Sequence, residues 1–155
     1  MRRALVLAAM TCIPLAVAEA HDTMPGMDVG RAGTAQAVTR TVDIVMNDDM
    51  RFTPSAVTVD AGQTVRFVVR NAGTLRHEFI LGNAADIAGH AAMMREHPGM
   101  MHHGGGNSIS LEAGKDGSVI WRFGAPGAVT FACLEAGHFE AGMKGTIEVR
   151  PAARK

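Results

Sequence analysis

The stretch Cys133-Leu134-Glu135-Ala136-Gly137-His138-Phe139-Glu140-Ala141-Gly142-Met143 decides how this chain is read. A thiol, an imidazole and a thioether stand in it at C-x4-H-x4-M, and Gly137 and Gly142 let the backbone turn sharply between them. The flanking residues 128–133 and 145–149 read as strands, so the three side chains sit on one tight loop between two strands. Upstream, residues 75–81 alternate with His77, Phe79 and Leu81 on one face. That places a second imidazole in a strand able to come alongside the loop.

Taken singly, each residue has a plain reading. A cysteine near a late strand is commonly a small buried hydrophobe, and a methionine is commonly core filler. Zinc fits poorly, because structural zinc sites take several Cys or His and rarely a thioether. A catalytic Cys–His pair needs a third, orienting group, and none is evident around Cys133. Jointly, two His, one Cys and one Met are the donor set of a mononuclear blue-copper centre, with two nitrogens and a sulfur in a trigonal plane and a long axial thioether. Soft sulfur suits Cu(I), while imidazole serves Cu(I) and Cu(II), so one site accommodates both oxidation states.

The rest of the chain reads as short strands punctuated by glycine turns. Val42, Ile44 and Met46 alternate from residue 41, residues 56–59 form a short strand, and Val65, Phe67 and Val69 alternate over 64–70. Residues 82–107 break that rhythm, with Asn83 capping a helix over 84–97 that Pro98-Gly99 stops. Strands resume at 108–111 and 118–123. The pattern predicts an all-β fold, a Greek-key antiparallel β-sandwich with a short helical insertion.

With strands and donors in this order, the chain resembles the cupredoxins, the small type 1 copper proteins, over about residues 41–150. The resemblance rests on Phe52-x-Pro54, on Gly62-x-Thr64-Val65-x-Phe67 leading to Asn71, on His77-Glu78-Phe79, and on the Cys133/His138/Met143 loop. It implies one type 1 copper held by His77, Cys133 and His138, with Met143 axial. It also implies that His138 reaches the surface within an apolar patch, here Phe139 and Ala136, serving as an electron port flanked by Glu135 and Glu140. The four-residue gaps look like the rusticyanin and auracyanin type of loop. The Met/His-rich insertion 82–107 looks more like the periplasmic cupredoxins associated with copper tolerance.

The ends and composition bound the setting. Arg2 and Arg3, the apolar run to Val17 and Ala18-Glu19-Ala20 read as a secretory signal peptide, 1–20, cleaved after Ala20 into a periplasm. Cleavage removes Cys12 and leaves Cys133 the sole thiol, so no internal disulfide is available. Residues 21–38 read as a flexible Met/His-containing lead-in, 39–151 as the cupredoxin domain and 152–155 as a tail. The 155-residue chain carries 15 basic and 15 acidic residues. With no basic stripe or long apolar span, neither nucleic acid nor a membrane span of the mature chain is expected, and the expected state is a monomer.

A second cluster lies in the insertion. His90, Met94 and His97 fall at i, i+4 and i+7 on one helix face, with Met93 beside them and Met100, Met101, His102 and His103 following. It is a candidate labile copper site, against the alternative that Met93 and Met94 anchor the insertion and the histidines are solvated. His21, the expected mature N-terminus, is a further candidate copper contact. Two functions follow: a protein that binds or oxidises excess periplasmic copper, or a soluble electron carrier between periplasmic redox partners. An enzyme is not expected, because no His-x-His pair supplies ligands for further coppers.

Overall fold

A computed structural model of the chain describes residues 29–96 and 106–152. Its elements in order are β1 Gly30–Ala32, β2 Arg40–Asn47, β3 Arg51–Thr53, β4 Ala56–Asp60, β5 Thr64–Asn71, β6 His77–Gly82, α1 Ala84–Glu96, β7 Ser108–Leu111, β8 Asp116–Phe123, β9 Gly127–Ala132 and β10 Lys144–Arg150. One sheet has the order β1-β8-β5-β2-β3 and the other β4-β10-β9-β6-β7. Strict alternation buries Val42, Ile44 and Met46 of β2 and Val65, Phe67 and Val69 of β5, against Phe79 and Leu81 of β6 and Phe131 of β9. Phe52 meets Phe131 edge-on with centroids 5.1 Å apart, and Phe67 meets Phe79 at 5.4 Å. Such pairs contribute about 0.5–1.5 kcal/mol each beyond their burial.

The sandwich is all-β apart from the insertion, as the periodicity predicts, but its sheets are mixed rather than purely antiparallel. β2 runs parallel to β5, and β4 parallel to β10. The chain leaves the first sheet after β3, contributes β4 to the second, and returns as β5 in the direction of β2. A strand-length pattern carries no sign of direction, so that crossover was not readable.

Part of the predicted lead-in is also ordered. Gly30–Ala32 pairs antiparallel with β8, the Trp121 Nε1–H donates to the Val29 carbonyl at 3.1 Å, and Ala35–Ala37 forms a 3-10 turn. Gly30 has φ +123°, and a Cβ there would lie 2.1 Å from the Arg122 carbonyl oxygen, so only glycine lets the two backbones approach.

The insertion begins as the helix expected of it, over Ala84–Glu96. The Asn83 side-chain oxygen accepts from the Asp86 N–H at 2.8 Å, and Asp86 and Arg95 stand at the ends that the helix dipole favours for their charges. Ile87 and Ala91 pack on Ile80, Ala132 and Leu134, the outward residues of β6, β9 and the segment after β9. β6 is therefore covered on both faces, which fixes the strand that begins with His77.

Candidate metal centre

Backbone hydrogen bonds shape the loop after β9. The Cys133 N–H donates to the Met143 carbonyl at 3.0 Å, and the Met143 N–H donates back to His138 at 3.0 Å. The His138 N–H reaches Glu135 and the Ala141 N–H reaches Gly137, each at 3.0 Å. Gly137 (φ +82°) and Gly142 (φ +95°) take the left-handed turns that close it. Cys133 and Met143 are thereby buried side by side at 0% exposure, while His138 is half-buried.

His77 opens β6, fully buried, and meets the loop through its Nδ1. His77 Nδ1 lies 3.2 Å from His138 Nδ1 and 4.0 Å from Cys133 Sγ, and His138 Nδ1 lies 3.3 Å from the same sulfur. A triangle with those sides has a circumradius of about 2.1 Å, which matches metal–nitrogen and metal–sulfur bonds of about 2.0–2.3 Å. These three residues are the one such cluster of metal-ligating His, Cys, Asp or Glu among the described residues. The donors present therefore fit a soft-leaning ion in a three-coordinate plane.

Burial dominates the electrostatics. The Cys133 thiol is pushed up to about 12, first by desolvation and further by Glu78 and Glu135, against N–H donors from Glu78 and Glu135. The Glu78 N–H reaches Sγ at 3.3 Å. Desolvation lowers His138, and His77 adds to that, so its ring is neutral and able to ligate at neutral pH. Glu78 is raised to about 7 by desolvation and then by the Glu135 charge. Asp48 is held well below the usual carboxylate range by the Thr74 N–H first and the Thr74 hydroxyl next, with Leu75 and His77 adding and desolvation opposing.

The loop's charged residues stand in ion pairs at its surface. Glu135 meets Arg76 at 3.1 Å and Glu140 meets Arg95 of α1 at 3.3 Å, while Arg51 donates to the Ala141 carbonyl at 3.0 Å. Of the expected patch, Ala136 is exposed, but Phe139 is half-buried against the α1 cluster with Lys144 Nζ 5.2 Å over its ring. In the second cluster, His90, Met93 and Met94 are half-buried, and His90 and Met94 flank the packing face of Ile87 and Ala91. His97, Met100, Met101, His102, His103 and His21 lie outside the described residues. The sequence reading missed Asp48, which sits in the β2–β3 turn with Oδ1 3.1 Å from His77 Nε2. Nothing in an Asn-Asp-Asp-Met turn points to a distant histidine.

A two-sheet sandwich carrying a buried His–Cys–His triangle, with methionine closing the same loop, defines the cupredoxin class of copper protein. The family model of copper-binding proteins of the plastocyanin/azurin family matches residues 38–150, and the chain belongs to that family. It is similar to the copper-resistant cuproprotein CopI of Rubrivivax gelatinosus, 47% identical over 133 residues that cover 86% of this chain and 79% of that one. The CopI of Vibrio cholerae serotype O1 is 36% identical over 134 residues, covering 83% and 79%. Among solved structures, auracyanin B superposes with a TM-score of 0.64 at 26% identity, covering 81% of this chain and 97% of that one. No helix among the described residues is long and apolar enough to cross a membrane.

Proposed function

We propose that this chain is a periplasmic type 1 copper protein in which His77, Cys133, His138 and Met143 would hold the copper, serving copper tolerance by binding or oxidising excess copper. The observation that carries this reading is the Nδ1–Nδ1–Sγ triangle, closed to about a metal–ligand radius on a buried, hydrogen-bonded scaffold. Bound copper supplies one-electron Cu(I)/Cu(II) chemistry. The chain's own part is to hold the donors still. Two strands, the loop's backbone hydrogen bonds and the aromatic core keep one geometry for both oxidation states, which limits rearrangement when an electron moves. The Glu78 N–H stabilises the sulfur as thiolate, and burial of Cys133, Leu134 and Met143 excludes water. No substrate bond is made or broken by such a site, so the protein is not read as an enzyme, and the working state is a monomer.

Support for the tolerance role comes from the CopI relatives, whose name describes them as copper-resistant. The likeness to auracyanins supports a second reading, a soluble electron carrier. A copper count on the purified mature chain, with reoxidation to read the blue thiolate–copper band, tests the site. One copper with an intense blue band, lost in Cys133→Ser, is expected; absence of that band in the wild type refutes the ligand set. Growth of a deletion strain on copper then separates the roles. Copper sensitivity fits tolerance, and loss of a respiratory or photosynthetic activity without copper sensitivity fits the carrier.

A further inference from the structure

We infer that Asp48 is a positioning residue for His77, fixing the tautomer that presents Nδ1 to the metal and weighting the site toward Cu(II). The inference rests on the type 1 reading of the site. His77 uses Nδ1 toward Cys133 and His138, so that nitrogen must carry the lone pair and Nε2 the proton. Nε2 lies 3.1 Å from Asp48 Oδ1, the acceptor such a proton needs.

The carboxylate is built in. Asp48 occupies the corner of the β2–β3 turn, whose Met50 N–H donates to Asn47 at 3.1 Å and whose Met50 takes φ +58°. Its Oδ2 accepts from the Thr74 N–H and the Thr74 hydroxyl, both at 2.7 Å, and its Oδ1 accepts from the Leu75 N–H at 3.2 Å. The 71–75 segment is shaped to receive it. Buried Asn71 donates to the Leu75 and Leu111 carbonyls at 2.7 and 3.0 Å and accepts from the Gly73 N–H at 2.9 Å. A Cβ on Gly73 would lie 2.0 Å from Asp48 Oδ1, so glycine is what leaves room for the carboxylate.

An anionic acceptor on the far nitrogen raises the basicity of the ligating one and adds a negative charge beside the ion. Both effects favour the more highly charged oxidation state. Groups that orient a ligating imidazole are worth about 10–100-fold in metal affinity. Asp48→Asn keeps the shape and removes the charge. Were the loss confined to Cu(II), the reduction potential would rise by about 59–118 mV, since tenfold is 59 mV for one electron.

The test has two readouts. Nitrogen-15 NMR of the metal-free wild-type chain gives the His77 tautomer, and redox titration compares wild type with Asp48→Asn. An Nε2-protonated ring and a potential raised by tens of millivolts are expected. An Nδ1-protonated ring, or a potential unchanged in a folded Asp48→Asn, overturns the inference. Because the tautomer is read on the wild type without metal, a variant that does not fold leaves the question decided. The wild-type copper count and blue band judge the type 1 reading separately, so the two failures are distinguishable.

Discussion

Loading this site must expel a proton, and the amount measures how deeply Cys133 is buried. Only the thiolate ligates, and desolvation pushes the free thiol up to about 12. At pH 9 an ordinary thiol, ionising near 8.5, is about one-quarter protonated, whereas the buried one is almost wholly so. Binding Cu(I) at pH 9 should therefore release close to one proton per copper, against about 0.25 for an exposed thiol. His138 adds nothing there, since its pKa is lowered and its ring is already neutral. Apparent affinity should accordingly climb about tenfold per pH unit through this range, well past the point where an ordinary thiol levels off. Calorimetric titration in two buffers of different ionisation enthalpy reads the proton count directly. A release near 0.25, or an affinity flat above pH 9, would refute the buried-thiol argument. The sign extends to stability without metal. A folded pKa raised above the unfolded one contributes stability that is complete below about 8.5 and is lost as pH rises toward 12.

Further outcomes follow from other contacts. Glu78 is raised to about 7, so its contribution to metal-free stability is complete below about 4.5 and is lost as pH rises through 7. Glu78→Gln should thus stabilise the metal-free protein at pH 8 by on the order of 2 kcal/mol and have little effect at pH 4, read by urea denaturation at both pH values; equal effects at the two would count against it. Gly145→Ala places a Cβ 2.1 Å from Phe131 Cζ and 2.5 Å from the Ser55 carbonyl oxygen, and should cost about 1–3 kcal/mol, seen as a Tm lowered by several degrees. Arg95→Ala breaks an exposed pair with Glu140 and should cost less than about 1 kcal/mol, with the blue band unmoved; a shifted band would show that this ion pair, and not the loop's own backbone, holds the donors.

The loop was legible because its three donor types are rare together and its glycines mark the turns, and the strands were legible because their inward residues alternate strictly. His77 is fully buried on the face that the alternation of residues 75–81 gave it, and Cys133 and Met143 are fully buried at the two ends of the loop. What escaped had no local signature. β1 is three residues long, too short to show a period, and depends on Gly30 lying against β8. Phe139 looked like surface from its loop position, but its place is set by α1, an element joined to the loop only in three dimensions. Asp48 was hidden for the same reason: its role depends on a strand 29 residues away.

The loop contributes three of the four proposed donors as one unit, and magnitudes show what holds that unit. Arg76–Glu135 and Arg95–Glu140 are largely exposed pairs, worth about 0–1 kcal/mol each. The backbone bonds linking Cys133, His138 and Met143 are buried in the turn, and leaving such a group unpaired costs about 1–3 kcal/mol. The loop is therefore self-supporting, and the arginines trim its edges. His77 is the donor that arrives from another strand, so the geometry of the site is decided by how β6 and its imidazole are seated. Burial of β6 under α1 fixes the strand, and the β2–β3 turn meets the ring. A perturbation of either should change the site more than removal of any charge on the loop itself.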